Sequence, residues 1–158
     1  MLRRVSLFIV AAASLGAAIV PTPALAQSTQ RNQDPETTRI RHVLDDQQAA
    51  WNRGDIEGFM RGYWNSPETV FVSEDEITRG WQTVHDRYRS KYSDRDKMGA
   101  LRFSELEIRL LGEDVALVLG RWELVRKADK PHGRFTLIFR KTADGWKIVH
   151  DHTSAANL

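Results

Sequence analysis

The sequence predicts an α+β domain in which helices come first and an antiparallel meander packs against them on one face. Three observations carry that expectation. Through the first half, Ile40, Val43, Leu44, Gln47 and Trp51, then Ile56, Phe59, Met60 and Tyr63, then Trp81, Val84, Tyr88 and Tyr92 recur three and four residues apart, as amphipathic helices require. The second half changes to β-rich runs over residues 101–111, 115–125, 134–141 and 146–154. The connections between those runs are short and turn-rich, Gly112-Glu113-Asp114, Asp129-Lys130-Pro131-His132-Gly133 and Ala143-Asp144-Gly145, so neighbouring strands run antiparallel.

Before the first helix the chain carries Arg3-Arg4, an apolar run over residues 5–20 and then Ala24-Leu25-Ala26. This is the three-part pattern of a secretory signal peptide, with cleavage expected after Ala26 and a periplasmic or secreted product. No other stretch approaches a membrane span, so no membrane contact is expected after cleavage. Arg3 and Arg4 account for the whole difference between 23 basic and 21 acidic residues, which leaves the expected mature chain near neutral and gives a nucleic-acid surface no compositional support. The chain has no Cys. Thiol catalysis is thereby excluded, and an exported fold must be held by burial instead of disulfides. The residues after the leader, about 130 in all, make one domain with one core.

Residues 27–35 are polar and read as a flexible lead-in; the domain is expected over 36–154, with 155–158 as a tail. The first helix ends at Asn52-Arg53-Gly54-Asp55, where Gly54 suits the left-handed position after a helix and Asp55 can cap the next one. That second helix runs to about residue 64, before Ser66-Pro67. Thr69-Val70-Phe71-Val72-Ser73 alternates as a short strand, with Glu74-Asp75-Glu76 as its turn. A third helix follows Gly80, and residues 93–99 read as a charged loop. In the meander, Val115-Ala116-Leu117-Val118-Leu119-Gly120 and Phe135-Thr136-Leu137-Ile138-Phe139 are apolar on both faces. Antiparallel strands usually wet one face, so the face carrying Leu117, Leu119, Arg121, Thr136, Ile138 and Val149 is expected to be covered by a second copy of the chain, a homodimer.

The last strand carries the candidate chemistry. Strict alternation places Trp146, Ile148, His150, His152 and Ser154 on one face, and Lys147, Val149, Asp151 and Thr153 on the other. His150 and His152 then follow two apolar residues toward the interior. There they can serve as acid, base or ligand partner near neutral pH, or fill the space as hydrogen-bonded aromatics. A metal needs a third ligand, and His42, His85 and His132 offer no spacing that suggests one, so no metal and no cofactor are expected. Asp151, on the opposite face by the same count, is the expected interface partner of Arg121.

Trp51-Asn52-x-Gly54-Asp55, Gly62-Tyr63-Trp64, Phe71, Thr78-x-Gly80-Trp81, Gly120-Arg121-Trp122 and the terminal run from Trp146 to Ser154 together resemble the nuclear-transport-factor-2-like superfamily. Within it the chain looks like the SnoaL-like domain of unknown function, which is also similar to the association domain of calcium/calmodulin-dependent kinases. The resemblance implies a cone, with three N-terminal helices packed on a strongly curved antiparallel sheet that encloses a pocket, and pairing into dimers through the sheet. It does not imply one function, because the superfamily includes isomerases, cyclases, dehydratases and epoxide hydrolases along with members that only bind or assemble. The Asp base and Tyr/Asp oxyanion pair of the isomerases map onto no residues of this sequence by motif.

With Tyr63, Trp64, Phe71, Trp81, Tyr88 and Trp122 as candidate lining beside the two histidines, the expected function is binding of a small, partly apolar molecule in an aromatic-lined pocket. An isomerase, dehydratase or cyclase using a pocket histidine as acid or base is the alternative from enzymology. A purely structural dimerisation module is the third reading.

Overall fold

A computed structural model describes residues 34–156. The expected signal peptide, most of the polar lead-in and the last two residues of the tail lie outside them.

Asp34 opens the first helix, α1 (Pro35–Asn52), by accepting a hydrogen bond from the Glu36 amide, with Pro35 at a first-turn position where no amide is needed. Gly54 (φ 87°) ends it, and Asp55 caps α2 (Ile56–Met60) through the Gly58 amide at 2.6 Å. A hairpin follows, β1 (Val70–Ser73) and β2 (Glu76–Arg79), in place of a strand and a free turn. Next come α3 (Trp81–Lys91) and a single turn, α4 (Arg95–Met98), inside the stretch expected to be loop. Asp94 caps that turn through the Lys97 amide, and Arg95 ties it to the carbonyls of Trp51 and Asn52 at the end of α1, at 2.9 Å each. The meander is β3 (Ala100–Leu110), β4 (Val115–Val125), β5 (His132–Thr142) and β6 (Gly145–Thr153).

All six strands form one sheet in the order β2-β1-β6-β5-β4-β3, antiparallel throughout except that β1 lies parallel to β6. The sheet curls over the helices as the cone that the resemblance implies. Ile40, Leu44, Met60, Val84, Val118, Phe139 and Ile148 fill the space between the layers. Tyr63 and Ile148 form an isolated parallel bridge, so the chain between α2 and β1 is stitched to β6 as well.

Two bulges set which side chains face inward. In β3 the pairing passes from Ser104↔Arg121 to Glu107↔Leu119, leaving Glu105 and Leu106 opposite one residue, with Glu105 in the left-handed region (φ 53°). In β6 the pairing passes from Phe139↔Ile148 directly to Ile138↔His150, so Val149 is the extra residue. One inserted residue reverses the alternation beyond it. Trp146 and Ile148 are buried as expected, but after the bulge Asp151 is buried while His150 is half-buried and His152 exposed on the outer face. The expected placement of the two histidines inside, and of Asp151 outside, is therefore reversed. Arg121 finds its carboxylate on its own strand, in Glu123 at 3.3 Å, instead of in Asp151.

The outer face of the sheet presents Leu117, Thr136, Ile138 and Val149 half-buried and Leu119 39% exposed. Across the strands Leu117 pairs with Ile138 and Ile138 with His150, while Leu119 pairs with Thr136 and Thr136 with His152.

Candidate functional site

Between the helices and the inner face of the sheet lies a cavity of about 120 Å³. Aromatic and aliphatic side chains make up most of its wall. Tyr88 of α3 is the hub, with ring centroids 5.1 Å from Phe59, 5.8 Å from Phe71, 5.9 Å from Tyr92 and 6.1 Å from Trp51. On the sheet side Phe135 meets Phe103 edge-on at 5.4 Å. Room for the Phe135 ring comes from Gly120, its cross-strand partner: a Cβ there would stand 2.3 Å from the ring.

One charged group reaches the interior. Asp151 is 5% exposed, and Tyr63 donates to its Oδ2 at 2.6 Å. The Tyr88 hydroxyl lies 3.3 Å from that of Tyr63. Because Tyr63 commits its single proton to Asp151, Tyr88 is the donor of that second contact. Among the described residues Asp151 Oδ1 has no hydrogen-bond partner. Thr78 Oγ1 and Arg126 Nε are also buried and unpaired, but neither residue belongs to the cavity wall. Burial without a cation pushes the Asp151 carboxyl up to about 7, against the opposing hydrogen bond from Tyr63. Desolvation, followed by the nearby Asp151 carboxylate, holds the Tyr63 and Tyr88 hydroxyls well above the ordinary tyrosine range, so both remain protonated donors at neutral pH.

The parallel pairing of β1 with β6 sets the depth of the site. Phe71 lies beside Asp151, and one strand repeat further along Ser73 lies beside Thr153. Beyond them the wall runs out to Glu74, Ser154 and Ala155, all exposed, which marks the mouth. Arg87 and Lys91 reach the same end from α3. Arg87 pairs with Glu76 and lies 5.3 Å over the Phe71 ring. Past β6 the tail is held by the Trp122 indole, which donates to the Ser154 carbonyl at 2.9 Å, and by close passage over Gly133, where no Cβ would fit.

Of the side chains expected to line a pocket, Tyr63, Phe71, Tyr88 and Trp122 do line the cavity, whereas Trp64, Trp81, His150 and His152 do not. Trp64 follows Tyr63, which bridges to Ile148 with its side chain inward, and neighbouring residues of an extended segment face opposite ways. Trp81 sits in the seam between α2 and α3, stacked on His85 at 5.1 Å with its indole donating to the Met60 carbonyl. The bulge at Val149 excludes both histidines. Burial, then His152 and Arg79, lower the His150 pKa. Asp151, Gln47, Phe103 and Phe135 line the cavity without being expected there from the sequence. An acid flanked by two histidines on a strand was the available signal for Asp151, but the alternation that was read from it pointed the wrong way.

A second titratable cluster lies outside the cavity. His85 has Nε2 2.6 Å from Glu57 and Nδ1 3.0 Å from Asp86, and it clamps α2 to α3. Among the described residues no three His, Asp or Glu side chains are grouped so as to hold a metal ion.

The profile of the SnoaL-like domain matches residues 40–157. Among solved structures the chain is similar to an NTF2-like protein of unknown function from Shewanella oneidensis, at 39% identity over 75% of this chain and 98% of that one, with a TM-score of 0.72. It is also similar to a cystatin-like fold protein from Burkholderia xenovorans (24% identity, 80% and 96% covered, TM-score 0.63). A ketosteroid isomerase-like protein from Erwinia carotovora atroseptica matches at 20% identity over 79% of this chain and 99% of that one, with a TM-score of 0.64; at these lower identities the likeness is one of fold. No curated protein matches the chain.

Proposed function

The chain belongs to the SnoaL-like domain family, and on that premise we propose that it binds a small, partly apolar molecule inside the cone, with a polar atom of the ligand satisfying Asp151. The observation that carries this reading is the unpartnered, buried Oδ1 of Asp151 at the inner end of an aromatic cavity. Leaving such an oxygen unsatisfied costs about 1–3 kcal/mol or more, and a purely structural module gains nothing by keeping both that cost and an open cavity. Native mass spectrometry of protein purified from its own host tests the proposal. A copurified mass that is released on denaturation is expected, and its absence alongside a cavity refilled by side chains in a crystal structure would favour the structural module.

The second reading is an enzyme of the isomerase, dehydratase or cyclase type, with Asp151 taking the acid-base role that the sequence suggested for a histidine. A carboxyl that titrates at about 7 and is oriented by Tyr63 can give up or accept a proton at neutral pH. Turnover that follows an apparent pKa near 7 and disappears in Asp151→Asn supports it; turnover unaffected by that substitution rejects it.

Export and pairing complete the proposal. The leader pattern of Arg3-Arg4, the apolar run and Ala24-Leu25-Ala26 supports export, and an intact mass that retains residues 1–26 in the native host would reject it. The outer-face rows of half-buried Leu117, Thr136 and Ile138 with exposed Leu119 support a homodimer through the sheet. Leu119→Asp should then sediment as a monomer, and a wild-type chain already monomeric at micromolar concentration rejects the dimer.

A further inference from the structure

We infer that the ligand is a neutral compound with a single ring and a hydroxyl, of the phenol class, whose O–H donates to Asp151 Oδ1. This rests on the ligand-binding reading above and narrows it on three grounds: size, charge and hydrogen bonding.

Size comes first. The cavity holds about 120 Å³, slightly less than the ~150 Å³ of an apolar protein cavity that accepts one benzene. One ring fills it. A four-ring compound would leave most of its apolar surface outside the mouth, in water, and gain little from the wall. The faces and edges of Phe59, Phe71, Tyr88 and Phe135 favour an aromatic ring over an open chain, because aromatic pairs contribute beyond the area they bury.

Charge comes second. The mouth carries Arg87 and Lys91, but Arg87 is engaged by Glu76 and the carboxylate of Glu74 stands at the same rim. These are two cations against two carboxylates, and Arg126, which also acts on Tyr92 of the wall, is paired with Asp129, so the charges around the cavity balance. Deeper inside, the only ionisable groups on the wall among the described residues are Asp151, Tyr63, Tyr88 and Tyr92. An anionic ligand would meet Asp151 with no counter-charge, and both would be desolvated.

The third ground is the type of oxygen. Tyr63 already donates to Oδ2, and Oδ1 is the carboxyl oxygen without a hydrogen-bond partner among the described residues, so Oδ1 is the atom assigned to the ligand. An acceptor-only oxygen such as a ketone can do so only while Asp151 holds its proton. A hydroxyl donates to the carboxylate and accepts from the acid, so it satisfies either form. The parallel register places Thr153 and Ser73 one strand repeat nearer the mouth than Asp151 and Phe71, about 6–7 Å along the strand. This is the length of one ring, and it puts a second polar substituent opposite the hydroxyl within reach of those two side chains.

The test is a calorimetric and thermal-shift series on the whole wild-type protein with 4-methylphenol, toluene, acetophenone, benzoate and progesterone at pH 6 and pH 8. The expected result is binding of 4-methylphenol at both pH values, with toluene at least tenfold weaker. Acetophenone should weaken about tenfold between pH 6 and pH 8, as the proton it needs is lost. Benzoate and progesterone should not bind. Toluene equal to 4-methylphenol, or progesterone or benzoate binding more tightly than it, overturns the inference while leaving a ligand-binding protein. If none of the five binds, the inference also falls; a copurified ligand in the native mass spectrum then keeps the broader reading, and its absence removes both.

Discussion

Replacing Asp151 by Asn should stabilise the ligand-free protein at pH 8, a direction opposite to that of most substitutions of buried polar residues. In the folded protein the carboxyl titrates at about 7, against an ordinary value of 3.8. The folded state therefore binds the proton more tightly than the unfolded chain. Below about pH 4 both states are protonated and the group makes no difference to stability. Between about pH 4 and pH 7 the unfolded chain ionises first, so stability falls as pH rises, and above about 7 the loss is complete. A displacement of about three units at ~1.4 kcal/mol each gives about 4 kcal/mol, an upper figure because solvent can enter from the mouth. Asn keeps an oxygen to accept from Tyr63 and cannot ionise. Urea unfolding of both proteins from pH 4 to pH 8 should give a difference near zero at the acid end that grows to as much as about 4 kcal/mol in favour of Asn at pH 8. His85 is common to both proteins and cancels. A variant less stable than wild type at pH 8, or a difference that does not vary with pH, would refute the placement of an uncompensated carboxyl in the interior.

The other predictions test the geometry around it. His150→Gln and His152→Gln, on the outer face, should leave ligand binding unchanged in the calorimetric series; loss of binding in either would contradict the bulge at Val149. Gly120→Ala should cost about 1–3 kcal/mol by thermal or urea unfolding, since its Cβ would meet the Phe135 ring at 2.3 Å, and it should weaken ligand binding by displacing that ring into the cavity. Burial opposes the charge on His85, but its hydrogen bonds to Glu57 and Asp86 outweigh that and raise its pKa. Its contribution is thus fully present below about pH 6.5 and is lost as pH rises through the raised value. Glu57→Gln should flatten that part of the stability profile, and an unchanged profile would show that the clamp does not depend on protonation.

The helices and the meander were legible because their signals are local. The spacing of Ile40, Leu44, Gln47 and Trp51, the caps at Gly54 and Asp55, and the turn at Asp144-Gly145 that leads into β6 each act within a few residues of themselves, and the structure has an element boundary at each of these turns. The strand β2 was missed because Glu76 to Arg79 is short and largely exposed, with only Thr78 buried, and it is held by pairing with β1. The turn α4 was missed because its anchor, Arg95 on the end of α1, spans more than forty residues of chain.

The site was half legible for a more specific reason. Tyr63, Phe71, Tyr88 and Trp122 could be placed as large aromatics on buried faces, and no long-range information was needed. Placing His150, Asp151 and His152 required the register of β6 against β5. The step from Phe139↔Ile148 to Ile138↔His150 leaves no mark on the residue types, since Val149 is an ordinary strand residue. Alternation is reliable only between bulges, and one unseen bulge exchanged the interior acid for two exterior histidines. The parallel placement of β1 beside β6, which brings Phe71 and Ser73 to the site, is likewise a property of the closed cone.

The most direct test of the central claim is a crystal structure of the wild-type protein soaked with 4-methylphenol. The account predicts density for one ring between Phe71, Tyr88 and Phe135, with its hydroxyl within hydrogen-bonding distance of Asp151 Oδ1 and the Tyr63 contact to Oδ2 retained. Density on the outer face near His150 and His152, or a cavity in which Asp151 turns away from the bound ring, would contradict it.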